Sequence, residues 1–235
     1  MSVLGHPRVH LRVTDSTNDR ARALALAGAP HGTLVTAGEQ TAGRGRQGRS
    51  WSAPPGRSLL MSVVIRDAPM LLPLIAAVAV CDTAGAQALI KWPNDVVVSR
   101  GSSLLKLAGI LAENRPQDGW AVLGVGVNVA VRLDQLPGEL HERAATLGLT
   151  TDQIEPTLKR LLLELERRLR QPSETILADW RERDALRGRE VSWAAGQGRG
   201  EGIDGTGRLI VRRSDGTRST LDAGEVHLLE GYSAA

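Results

Sequence analysis

Hydrophobic and polar positions divide the chain into a mixed front and an all-strand tail. Near the start VHLRV alternates like a half-buried strand, and NDRARALALAG then repeats its apolar positions at helical spacing, from a Ser/Thr/Asn start to a glycine stop. GTLVTA and SLLMSVVI have strand composition and bracket a loop rich in glycine and arginine. The run MLLPLIAAVAVC is interrupted by Pro73 and followed by Asp82. It falls well short of the ~20 apolar residues that a membrane span needs, so it predicts a buried helix. ALIKW, DVVVS, LLKLAGILAEN and WAVLGVGVNV follow as four segments rich in Val, Ile and Leu, suited to neighbouring strands of one sheet. The pattern predicts an α/β layout with much of its sheet in the middle of the chain.

Over residues 155–170, Leu158, Leu161, Leu162, Leu165 and Leu169 share one helical face, with Pro156 suited to the first turn. Pro172 ends this helix. Ser173 is expected to cap a second one carrying Ile176, Leu177 and Trp180, and Gly188 to close it. Beyond Gly188, EVSWAA, GEGID, GRLIVRR, GTRSTL and GEVHLLE are short strand-like pieces separated by Gly and Asp, the texture of a small β-barrel. The expected organisation is one larger unit over residues 1–187 and a small all-β unit over residues 188–235.

A chain of 235 residues with 42% hydrophobic content can bury a real core. Its net charge of +3 is too small to imply a nucleic-acid partner by itself. Cys81 is the single cysteine, which excludes an intrachain disulfide framework and a Cys-rich zinc site and fits a reduced cytoplasm. MSVLGHPRVH lacks a basic stretch followed by an apolar core, so no secretory signal is expected.

The loop TAGRGRQGRSW, residues 41–51, carries Gly43, Gly45 and Gly48 between Arg44, Arg46 and Arg49. Glycines allow backbone N–H groups to turn inward while guanidinium groups offer forked donors to carboxylate or phosphate oxygens. No Gly-Lys-Ser/Thr follows, so it is not a Walker A loop. Composition alone leaves an anion clamp, a nucleic-acid arm with Trp51 for stacking, and a solvated turn all open. In KWPNDV, Pro93 breaks the strand pattern, so Asn94 and Asp95 sit in a turn, either as ligands for a substrate or hydrated Mg²⁺ or as a plain Asx turn. Lys106 opens the apolar strand KLAGILAE, where an ammonium beside a pocket stabilises negative charge or simply marks the strand end. Asn128 in GVGVNV needs partners, from a ligand or from the backbone. Helix capping accounts for Ser16 or Thr17 in DSTND.

The order and spacing of these stretches are more specific than any one of them. STN, Gln40 with AGRGRQGRSW, KWPNDV, KLAGIL and GVGVN closely resemble the signature of biotin protein ligases over residues 16–128, and GEGID...GRLIV is similar to that family's small C-terminal SH3-like domain. The resemblance implies an α/β (α+β) fold, a mixed sheet flanked by helices, with an appended SH3-like β-barrel. It implies that the biotin carboxylate attacks the α-phosphate of ATP to give biotinyl-5′-AMP, from which a lysine of a biotin carboxyl carrier protein takes the biotinyl group. Such an enzyme needs no nucleophile of its own, in keeping with candidate stretches that hold neither Cys nor His.

By the same resemblance Ser16, Thr17, Asn18 and Gln40 hold the biotin ring system, with Arg44, Gly45 and Arg46 closing over the ligand. Lys106 sits at the junction of carboxylate and α-phosphate, and Lys106 and Arg46 are the catalytic charges. Arg49, Trp51 and Asn128 face the nucleotide, as do Arg46 and Lys106. Asn94 lies near the phosphates, Asp95 is the expected Mg²⁺ ligand, and Lys91 assists. Ordering roughly ten loop residues costs on the order of 10 kcal/mol, so the free loop is expected to be flexible until ligands close it. Some family members carry an N-terminal helix-turn-helix domain; here STN begins at residue 16, so no DNA partner is expected, no membrane partner either, and a monomer or homodimer. The aromatic residue that often follows the loop in the next strand is a leucine in SLLMSVVI. Two competing readings are a lipoate- or octanoyl-transferring relative of the same fold and a nucleic-acid-binding module.

Overall fold

The structure, a computed structural model, describes residues 4–222 and 224–229. Strand β1 (Arg8–Leu11) runs parallel to β2 (Leu34–Ala37), with helix α1 (Thr17–Leu26) as the crossover. The remaining pairings are antiparallel. They join β3 (Ser58–Arg66), β4 (Ala88–Lys91), β5 (Asp95–Arg100), β6 (Ser103–Arg115) and β7 (Trp120–Asn128) into one seven-stranded sheet of order β1-β2-β3-β7-β6-β5-β4. The mixed sheet flanked by helices is the fold class expected from the sequence.

Helix α2 (Leu72–Ala84) is apolar all round and lies in the main core, between the sheet and the helices α3 (Ile154–Leu169) and α4 (Ser173–Glu182). Asp82 at its end accepts hydrogen bonds from Arg167, Arg168 and Arg183, which ties the three helices together. No helix among the described residues is long and apolar enough to cross a membrane.

Side chains of a strand alternate between the two faces of its sheet. In β7, Leu123, Val125 and Val127 enter the main core, while Trp120 and Val122 pack on the opposite face with Ala21 and Ala25 of α1. Continuing along that second face brings Gly124, which the first turn of α1 still meets through Asn18, and then Gly126 and Asn128. The uncovered half of the second face is the floor of the site described below.

Two local expectations are corrected. Ser173 is the first residue of α4 rather than its cap, and Pro172 before it makes no side-chain cap hydrogen bond. Nor does Gly188 close this helix, which ends at Glu182. The chain leaves it to pair with the outer edge of β4, where Ile90 donates to the Arg183 carbonyl at 2.7 Å and Ala185 donates back to Ile90 at 2.9 Å. Satisfying an otherwise bare strand edge outweighs another helical turn.

The tail forms a five-stranded antiparallel sheet, β8 (Glu190–Trp193), β9 (Gly196–Ile203), β10 (Leu209–Arg212), β11 (Arg218–Leu221) and β12 (His227–Leu228), in the order β11-β10-β9-β8-β12. Val191, Ile203, Leu209, Val211 and Val226 are continuous with the main core, and the Trp92 indole donates to the Gly207 carbonyl at 3.0 Å. The final residues of GEVHLLE and of the 188–235 unit lie outside the described residues.

Candidate active site

A cavity of about 560 Å³ opens over the free half of the sheet. Ser16, Thr17, Asn18, Gln40, Arg44, Gly45, Arg46, Arg49, Trp51, Lys91, Asn94, Asp95, Lys106 and Asn128 all line it, so the structure brings together every site residue expected from the sequence.

One end is neutral and rich in hydrogen-bonding groups. Ser16 caps α1 and thereby places Thr17 and Asn18 in its first turn, both buried. Gln40 Oε1 accepts from the Thr17 backbone N–H at 2.7 Å and from its hydroxyl at 2.9 Å. The Ser62 hydroxyl lies 2.6 Å from Asn18 Oδ1, and Asn18 Nδ2 donates to Glu113 Oε2 at 2.8 Å, which fixes the way the amide faces. Gly124 supplies the space: a Cβ there would fall 2.0 Å from Asn18 Oδ1.

The other end is cationic. Arg46, Arg49, Lys91, Lys106 and Arg143 converge near Asp95, whose Oδ1 lies 2.7 Å from Lys106 Nζ. Burial pushes the Lys91 ammonium down from its ordinary range, and burial with the nearby charge of Arg49 does the same to Arg46. Desolvated cations that outnumber their carboxylate partners favour a bound polyanion. Lys106 reaches this face through a bulge: Val96 pairs with Ala108 and Val97 with Lys106, leaving Leu107 unopposed. The extra residue shifts the alternation, so Leu107 and Ala108 both enter the core while Lys106 joins Gly109 on the cavity side. The Trp51 ring lies flat over the sheet, 5.6 Å from Lys106 Nζ, and a Cβ at Gly109 or Gly126 would collide with it. Asn94 Nδ2 donates to the Ile110 carbonyl at 2.8 Å, and its Oδ1 accepts from Arg46 at 3.4 Å.

Three side chains point elsewhere than at a ligand. Arg44 lies 2.8 Å from Asp19 Oδ1 and 3.3 Å from Glu113 Oε1, drawn to two carboxylates at the edge of the cavity. Arg49 is ion-paired with Glu225 of the tail. Asn128 donates to the Ala145 carbonyl at 2.9 Å, and its Oδ1 accepts from Ser58 at 3.4 Å, the backbone alternative for its amide. Sequence reasoning missed Ser62, Glu113 and Arg143, as well as His227 and Leu228, which bring the tail to the cavity wall. The spacing Gly109, then Gly124-x-Gly126-x-Asn128, was a readable signal, because residues two apart on a strand share a face.

Cys81, the single thiol, is buried in α2 with its pKa pushed up to about 12 by burial, and is unsuited to nucleophilic work. Among the described residues no group of three or more His, Cys, Asp or Glu side chains is placed to hold a metal. Asp95 amid the cations fits instead a Mg²⁺ that arrives on nucleotide phosphates, because such ions take one or two protein carboxylates and keep phosphate oxygens as further ligands.

Residues 10–129 match the Biotin/lipoate A/B protein ligase family, and residues 188–229 match the Biotin protein ligase C terminal domain. The chain belongs to that family. It is similar to the Biotin--[acetyl-CoA-carboxylase] ligase of Mycobacterium tuberculosis, 37% identical with 91% of this chain and 85% of that protein covered. It is also 37% identical to the Bifunctional ligase/repressor BirA of Bacillus spizizenii, with 72% of this chain covered but only 55% of the relative's length. Among solved family structures, the biotin protein ligase from Aquifex aeolicus in complex with biotin and ATP superposes with a TM-score of 0.77 at 25% identity, covering 96% of this chain and 100% of that one.

Proposed function

We propose that this chain activates biotin with ATP as biotinyl-5′-AMP and transfers it to a lysine of a biotin carboxyl carrier domain. The observation that carries the reading is the two-ended cavity: a neutral wall of oriented amides and hydroxyls runs into a cluster of cations, of which Lys91 and Arg46 are desolvated, and no cysteine lines it. The Thr17, Asn18 and Gln40 groups offer donors and acceptors to a cyclic urea, with Ser16 at the same wall. The biotin carboxylate then lies toward Lys106 and Arg46, where the α-phosphate of ATP meets it. A carboxylate oxygen bonds to the α-phosphorus as the bond to pyrophosphate breaks and pyrophosphate leaves with the electron pair. Next the carrier amine attacks the acyl carbon, AMP departs and the amine proton is lost.

Lys106 and Arg46 hold the charge developing on the transferring oxygens, and Asp95 orients Lys106 through their 2.7 Å ion pair. Lys91 and Arg143 add positive potential behind them. Trp51, held flat by Gly109 and Gly126, offers a face to the nucleotide. Mg²⁺, with Asp95 as its protein ligand and Asn94 beside it, would neutralise phosphate charge. In this reading Arg49 and Asn128 border the nucleotide while being held by Glu225 and Ala145. Residues 1–187 make the catalytic unit and 188–235 the appended one, and a cytoplasmic setting fits the single buried thiol. The carrier of a carboxylase is supported as acceptor by the name of the Mycobacterium relative.

Incubation with labelled biotin, MgATP and a purified carrier domain tests the reading. A label on the carrier lysine that needs ATP is expected. Labelling by lipoate or octanoate instead of biotin overturns the substrate assignment.

A further inference from the structure

The side chain of Asp19 is absent from the cavity wall, yet it receives the loop that covers it. Arg44 Nη1 lies 2.8 Å from Asp19 Oδ1, and Arg22 Nη2 holds the same oxygen at 2.6 Å from the next turn of α1. Arg44 also lies 3.3 Å from Glu113 Oε1, whose other oxygen accepts from Asn18. One guanidinium from the loop thus bridges α1 and β6 across the neutral end of the cavity.

The base of the loop is pinched, because a Cβ at Gly43 would fall 2.4 Å from the Trp51 carbonyl oxygen and 2.9 Å from Gln40 Nε2. Trp51 N donates to the Gly43 carbonyl at 2.9 Å, so Arg44 leaves a fixed point and its side chain is delivered to α1. Glu113 is already engaged with Asn18, whereas Asp19 contacts no other residue of the cavity wall through its carboxylate. Asp19 shares its oxygen with Arg22 of its own helix, and is therefore the carboxylate that serves the loop without also orienting a cavity amide.

We infer that Asp19 is a positioning residue which, through Arg44, holds the glycine-arginine loop shut over the biotin end and sets how long the acyl-adenylate stays bound. This rests on the ligase reading. A mixed anhydride that escapes is lost to water, so a clasp on the loop governs the share of adenylate that reaches the carrier. The pair is partly exposed, 40% at Arg44 and 30% at Asp19, so its contribution is that of a modest ion pair and corresponds to a change of about two- to fivefold.

The test is a single turnover with labelled biotin and MgATP, followed by rapid filtration that separates bound from released biotinyl-5′-AMP, on wild type, Asp19→Asn and Asp19→Glu. Asp19→Asn is expected to form adenylate at the wild-type rate under saturating ligand but to release it about two- to fivefold faster. Its residues 43–51 should exchange amide hydrogens faster in the ligand-bound state. Asp19→Glu should restore retention, and in Asp19→Asn the amides of α1 should keep wild-type exchange while those of residues 43–51 quicken, a split that a purely helix-stabilising role does not give. Equal retention in wild type and Asp19→Asn overturns the inference while leaving the ligase reading intact, and so does an Asp19→Glu as leaky as Asp19→Asn. A wild type that makes no adenylate overturns the ligase reading itself.

Discussion

Replacing Gly124 with alanine should damage the neutral end of the cavity without replacing any of its side chains. The new Cβ would lie 2.0 Å from Asn18 Oδ1, 2.9 Å from its Cγ and 3.2 Å from its Nδ2, against the 3.4 Å or more of ordinary contact. The amide must retreat by more than an ångström. Asn18 is only 4% exposed and held by Ser62 at 2.6 Å and Glu113 at 2.8 Å, so retreat breaks both hydrogen bonds in a buried place. Each buried group left unsatisfied costs about 1–3 kcal/mol, which gives a stability loss of about 2–4 kcal/mol after partial relaxation. A displaced Asn18 should also weaken biotin binding by about ten- to a hundredfold, equivalent to about 1.4–2.8 kcal/mol. Urea unfolding reads the first effect and isothermal titration with biotin the second. Gly126→Ala is the internal control, since its Cβ meets the Trp51 ring at 2.6 Å instead, and should impair ATP-dependent adenylation more than binding of biotin alone. Wild-type stability and biotin affinity in Gly124→Ala would show that Asn18 is not held against Gly124 at the biotin end.

Asp184 lies where the chain pairs with β4; Oδ1 accepts from the Leu186 N–H at 2.8 Å, Oδ2 is buried without a partner, and burial raises its pKa to about 6. A carboxyl raised above its unfolded value of 3.8 costs nothing below about pH 4, and stability falls as pH rises to 6, by on the order of 3 kcal/mol in all. Asp184→Asn should therefore be more stable than wild type at pH 8 and no different at pH 4 in urea unfolding; a pH-independent gap would contradict this. Cys81 should resist alkylation by iodoacetamide at pH 8 in the folded protein and react on addition of denaturant, as followed by intact mass. Arg168, 5% exposed and bound to Asp82 and Asp179, should cost about 3–5 kcal/mol when changed to alanine, because two carboxylates lose their shared partner in a largely buried setting. Thermal unfolding checks it.

Much of the fold was legible because its strands and helices carry clear periodicities: the apolar α2, the leucine face of α3 and the alternating β7 all fall where the pattern puts them. Ends of elements were harder, as at Ser173 and Gly188, because the edge of β4 recruits residues 183–185 by a pairing far away in sequence. The cavity wall was legible as residues but less so as roles. Nothing local tells that Arg44 turns to Asp19 and Glu113, that Arg49 meets Glu225, or that Asn128 finds a carbonyl at Ala145. The bulge at Leu107 was equally hidden, since strict alternation over KLAGIL would set Lys106 on the same face as Ala108, in the core. Ser62 was masked by its apolar strand, although a hydroxyl amid SLLMSVVI, fully buried as it is, requires a polar partner.

Lys106, brought by its bulge to the meeting point of the two ends, stabilises the first chemical step in the proposed reaction. Mass spectrometry of the protein incubated with biotin and MgATP, without any carrier, tests it most directly. Biotinyl-5′-AMP is expected with wild type and is expected to be lost in a folded Lys106→Ala; an undiminished yield of adenylate from Lys106→Ala would remove Lys106 from that step.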